Sequence, residues 1–201
     1  MAIRIDRNKL LVVEGNDEKN FFECYLNYLQ IDNIQIISLG GTPKYKEQIP
    51  AIISATGFNP LVEIFAIIRD AETNENAAFQ SIQHIINSLH LRPPDENYSF
   101  SNGTPKVGIY ILPGNHENGM CEDLLLKTVE NHPAMVCVND FMKCVNKLDD
   151  PPRIQSKAKA KAFLAAMPES VPHIGIAALK KYWNFDSECL SSLKQFLQSF
   201  K

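Results

Sequence analysis

The chain has 201 residues, 45% hydrophobic and 21% charged, a globular composition at a length that buries about 70% of the unfolded surface without a disulfide or structural metal. Its longest apolar runs, such as Ile64–Ile68 and Ala134–Val138, fall far short of the roughly 20 residues that cross a bilayer, and the N-terminal apolar run has charges on both sides and no cleavage site, which argues against a membrane or exported protein. The five cysteines show no CxxC spacing and read as free, buried thiols of a cytoplasmic protein.

In chain order, Lys9–Val13 reads as a strand ending at Glu14-Gly15. Asn16-Asp17 supplies N-cap chemistry, and Phe21, Phe22, Tyr25, Leu26 and Leu29 recur at helical spacing. A second strand, Ile34–Leu39, ends at Gly40-Gly41-Thr42-Pro43, and a helix from about Lys44 to Thr56 follows, interrupted by Pro50. Leu61–Ile68 is a nearly continuous apolar strand, as expected where both sheet faces are covered. Ala77–Leu89 is an amphipathic helix, Arg92–Pro105 a polar loop, Val107–Leu112 a fourth strand, and Cys121–Val129 a further helix. Beyond residue 130 the strand signal stops, and Met135–Leu148, Lys157–Met167 and Ser187–Phe200 read as helices.

This alternation predicts an α/β fold: a mainly parallel four-stranded sheet with helices on both faces. The expected organisation is a core over residues 1–130 and a helical extension over 131–201 packed on it. Charge divides along the same line. Residues 151–201 hold eight basic and three acidic side chains, the first 150 twelve basic and twenty acidic. A basic segment that includes Arg153, Lys157, Lys159 and Lys161 is either a surface for the phosphates of DNA or RNA or a solvated helix face.

Ligands of open α/β sheets collect beyond the carboxyl ends of the parallel strands. Here those ends carry Glu14-Gly15-Asn16-Asp17-Glu18, Arg69-Asp70-Ala71-Glu72 and Pro113-Gly114-Asn115-His116-Glu117, with Glu122 and Asp123 soon after. Two carboxylates about 5 Å apart repel by roughly 3 kcal/mol at an effective dielectric near 20, so such a cluster calls for protons or cations. All-oxygen donors suit Mg²⁺ or Mn²⁺ better than zinc. The Gly40–Lys44 turn is either a phosphate cradle, through Gly41, Thr42 and Lys44, or only a tight turn. His116 stands at a strand end, as a solvated loop residue or a base.

Val12-Val13-Glu14-Gly15-Asn16-Asp17-Glu18 followed by Ile67-Ile68-Arg69-Asp70-Ala71-Glu72 resembles the Toprim domain of topoisomerases, bacterial primases and OLD-type nucleases, which has a strand ending in Glu-Gly and a later one ending in Asp-x-Asp. Leu39-Gly40-Gly41-Thr42 is similar to the turn after the second Toprim strand, and the tail is similar to that of small bacterial proteins with a Toprim-like core. The resemblance covers about residues 8–130. It implies that Glu14 is a metal ligand or general acid/base, that Asp70 and Glu72 are the acid pair, and that Glu122 or Asp123 supplies a further ligand. Glu72 departs from the pattern, where Toprim enzymes have Asp. Two functions follow as expectations: a Mg²⁺- or Mn²⁺-dependent phosphoryl-transfer enzyme, a nuclease with Glu14, Asp70 and Glu72 catalytic, or a non-catalytic Toprim-like module. A flavodoxin-like nucleotide binder is a weaker third, since the first strand turn lacks GxGxxG or a P-loop.

Overall fold

The computed structural model describes residues 3–41 and 44–201. Five strands form one sheet, β1 (Lys9–Val13), β2 (Ile34–Ser38), β3 (Ile64–Asp70), β4 (Ser99–Phe100) and β5 (Lys106–Leu112), in the order β2-β1-β3-β5-β4. The first four in that order run parallel, and β4 joins β5 antiparallel, Ser99 opposite Ile109. The fold is therefore α/β with a mostly parallel sheet, but it has five strands rather than four. β4 lies inside the stretch that reads as a polar loop, and two residues are too few to show a period of two.

Along each strand alternate residues go to opposite faces. Leu11, Val13, Ala66, Ile68, Tyr110 and Leu112 enter one hydrophobic core, while Leu10, Val12, Phe65, Ile67, Val107, Ile109 and Ile111 enter another. The second core is closed by α2 (Tyr45–Ile53), α3 (Phe58–Leu61) and α4 (Glu75–Ser88). α2 continues through Pro50, because Tyr45, Ile49 and Ile52 are buried and their packing outweighs the one lost helical bond. α3 takes up the start of the stretch expected as strand, so β3 begins later, at Ile64. Asn74 caps α4 by accepting from the Ala77 N–H at 2.9 Å.

The first core is closed by α1 (Asn16–Tyr28), α5 (Cys121–Thr128), α6 (Ala134–Val145), α7 (Gln155–Ala165), α8 (Ile174–Leu179) and α9 (Ser191–Gln198). Phe163, Trp183, Phe196 and Phe200 from the tail share it with Phe21, Tyr25 and Tyr110. α8, six residues that the sequence periodicity did not predict, packs on α1 through Gly175. A Cβ there would lie 2.4 Å from Asn20 Cβ and 2.8 Å from the Asp17 carbonyl oxygen, so only glycine permits this approach. All five cysteines are free, but Cys137 and Cys144 are exposed, against the expectation of burial. No helix among the described residues is long and apolar enough to cross a membrane.

Candidate functional site

The crossover from β1 through α1 to β2 covers one face of the sheet, and those from β2 to β3 and β3 to β5 cover the other. The chain thus leaves β1 in one direction and β3 in the opposite one, which opens a crevice between their carboxyl ends. Glu14 follows the end of β1 and Asp70 is the last residue of β3. A cleft of about 1050 Å³ opens there, with an acidic wall of Glu14, Asp17, Glu18 and Glu122 and a basic wall of Lys157 and Lys161 from α7. His173, before α8, sits at the same cleft with its Nδ1 3.0 Å from Asp17 Oδ2.

Each acid is held by local structure. Gly15 makes room for Glu18, whose Oε2 would lie 2.6 Å from any Cβ at that position. The Glu14 carbonyl accepts from the Gly41 N–H at 2.9 Å, which ties the end of β1 to the turn after β2. Asp70 is 5% exposed, and its Oδ1 accepts from the Cys121 N–H at 3.0 Å, joining the end of β3 to the start of α5. Glu122, the next residue, is 9% exposed, and its Oε2 is buried with no hydrogen-bond partner among the described residues.

The electrostatics follow from this crowding. Burial, then the charges of Glu14, Glu122 and Glu18, push the Asp70 carboxyl well above its ordinary range, only partly offset by the Cys121 N–H. Burial, assisted by Glu122, Glu14 and Asp17, also raises Glu18. Glu122 is raised by burial, while Lys157 across the cleft pulls it down. Among the described residues no three His, Cys, Asp or Glu side chains are arranged to share one metal ion. The acids act on one another through their fields at wider separation.

The other expected site residues divide between the cleft and places away from it. Glu72 is exposed, at a left-handed φ of 54°, with its N–H bonded to the Gly119 carbonyl. Of the turn after β2, Gly41 lines the cleft, but its N–H and that of Lys44 are engaged with Glu14 and Gly41 carbonyls, so neither is free to cradle a phosphate. Thr42 lies outside the described residues. Asp123 bonds the Met120 N–H at the start of α5 rather than facing the cleft. From the basic segment, Lys157 and Lys161 line the cleft among the described residues, four apart on one side of α7, whereas Arg153 and Lys159 do not. His116 lies 3.5 Å from the buried Glu75, which also accepts from Asn97 and from the Tyr98 hydroxyl.

Comparison with protein families finds one match, to the family described as "Protein of unknown function (DUF3226)", over residues 8–201. The chain belongs to the DUF3226 family. No curated protein and no solved structure matches it. The DUF3226 match runs through sheet and tail alike, so α7 and α8, which complete the cleft, lie inside the same family unit as β1 and β3. Of the cleft residues of this DUF3226 chain, Glu18 stands among the acids at the end of the first strand without being marked by the sequence as a site residue, and His173 is not marked at all. Glu18 stands one helical turn beyond Glu14 across a strand–helix boundary, a spacing that carries no periodic signal. His173 reaches Asp17 from 156 positions away.

Proposed function

We propose that the cleft at the carboxyl ends of β1 and β3 cleaves phosphodiester bonds of DNA or RNA with Mg²⁺ or Mn²⁺, on a Toprim-like sheet. One observation carries this reading: the cleft brings Glu14, Glu18 and Glu122 together with Lys157 and Lys161, and the charges of those three acids add to burial in raising Asp70 at the end of β3. The donor set fits a hard cation, since it is all oxygen and includes the partnerless buried Oε2 of Glu122. Glu14, Asp70 and Glu122, which are not arranged to share one ion as they stand, would have to close on it, and the ion when bound would supply Lewis acidity and a water of lowered pKa. Lys157 and Lys161 bind the phosphate backbone as point charges. Glu14 carries the proton between water and the leaving oxygen, as the resemblance of Val12–Glu18 to the first Toprim strand implies. Water is the attacking group.

The second reading, a non-catalytic Toprim-like module, is favoured by one observation, the exposed and left-handed Glu72. Incubation of the purified chain with single-stranded, double-stranded and nicked DNA and with RNA, in Mg²⁺ and then Mn²⁺, separates the two. Cleavage that disappears in Asp70→Asn supports the enzyme. Cleavage that survives Asp70→Asn belongs to a contaminant, and salt-dependent binding without cleavage, or neither, leaves the module.

A further inference from the structure

Seven large hydrophobic side chains are exposed among the described residues, and four of them fall in one short stretch: Val136 at 68%, Phe141 at 51%, Leu148 at 59% and Ile154 at 46%. α6 runs through this stretch and buries Met135, Val138 and Met142 against the core. A surface helix with that face buried is expected to turn polar residues outward on the rest. Instead Cys137, Phe141 and Cys144, all exposed, lead to Leu148 in the turn after α6 at steps of four, three and four residues. That is the alternating three-and-four spacing of a two-helix seam, lying roughly a third of a turn round α6 from its buried stripe. Among the described residues nothing covers it.

The charges beside the seam indicate its occupant. Asp140 of α6 and Lys147, in the turn just past its end, lie on the outer side of the seam, while Val138 and Val145 lie along the inner one. Antiparallel pairing of two copies, with Phe141 of each against Cys144 of the other, sets Asp140 of each beside Lys147 of the other. Parallel pairing would set those charges beside the inner valines and leave them unmatched. Asp140 already bonds Lys143 on its own helix at 2.8 Å, but both side chains are mostly exposed, so sharing or exchanging that bond costs little. We propose that a second copy of this chain docks here, in a two-fold dimer built on antiparallel α6 helices. The seam is self-complementary, as a two-fold interface requires. One helix per copy makes a small interface, below about 1,200 Å², and places association between about 1 μM and 1 mM.

Sedimentation equilibrium under reducing conditions tests this, with melting curves showing that each variant is folded. The wild type self-associates in that range, and Phe141→Glu weakens association by about 100-fold or more. Asp140→Lys and Lys147→Asp each weaken it by about tenfold, since each puts like charges together at both symmetry-related contacts. An equimolar mixture of those two variants associates at least as well as the wild type, because every facing pair is then opposite in sign. A wild type that stays monomeric throughout overturns the proposal. So does association that Phe141→Glu leaves unchanged, or a mixture no tighter than its separate variants.

Discussion

The two faces of the sheet are covered in different ways. One is closed by α2, α3 and α4, all drawn from the crossovers between β2 and β5. The other is closed by α1 and α5 together with α6, α7, α8 and α9, and it is at the end of this face that acid and base confront each other across the cleft. The first face is a self-contained core. The second needs the tail both to bury Leu11, Val13, Ala66 and Ile68 and to supply Lys157, Lys161 and His173. A segment that reads as an extension is, by burial, half of the main core, and stability and site chemistry meet in the same helices.

The largest effect should come from removing the tail. A chain ending at residue 130 loses Ala160, Phe163, Leu164, Trp183, Leu190, Leu193, Phe196, Leu197 and Phe200. At about 1.5–3 kcal/mol for a large buried side chain, this exceeds the roughly 5–15 kcal/mol by which a domain is stable. Circular dichroism should show no cooperative melt, and a cooperative one would make the tail an appendage after all. Next in size, Phe163→Ala on the tail side and Phe65→Ala on the other should each cost about 3–5 kcal/mol in urea unfolding. A much smaller loss at Phe163 would break the comparison.

Gly175→Ala should cost about 1–3 kcal/mol by forcing α8 away from α1, and it should also disturb the His173–Asp17 contact at the cleft. The smallest effect has the opposite sign. Because the Asp70 carboxyl is raised, the folded chain keeps a proton that the unfolded chain releases, and stability falls as pH climbs from the ordinary 3.8 through the raised value. Asp70→Asn retains an acceptor for the Cys121 N–H and removes the charge. It should flatten that fall and raise the melting temperature at pH 7 by about 2–4 °C, the shift made by about 1 kcal/mol in a chain of this length. A lowered melting temperature would mean that the Asp70 charge is compensated in the folded chain.

Much of the fold was legible in the sequence because both faces are covered: apolar runs such as Lys9–Val13 and Ile64–Asp70 stand out, and helices such as α4 show a clean apolar stripe. What escaped is short or tertiary. β4 and α8 are too brief to show a period, and Leu61, the last residue of α3, is apolar enough to pass as the start of the strand that follows. At the site, strand ends could be located, which brought Glu14 and Asp70 into view. Where a side chain goes after a strand ends depends on backbone turns that composition does not encode. Glu72 is two residues from Asp70, yet a left-handed turn leaves it exposed, while Glu18 enters the cleft where Gly15 leaves it room and His173 through the docking of α8 on α1.

The central proposal is that Glu14, Asp70 and Glu122 close on one cation when it binds, and that Glu72 stays outside the group. Calorimetric titration of the full chain with Mn²⁺ measures this directly, in the wild type and in Glu14→Gln, Asp70→Asn, Glu122→Gln and Glu72→Gln. The account predicts binding by the wild type that weakens at least about tenfold in the first three variants, since even the loss of an outer-shell partner costs about that much, and stays unchanged in Glu72→Gln. No Mn²⁺ binding by the wild type, or binding indifferent to Asp70→Asn, would contradict it.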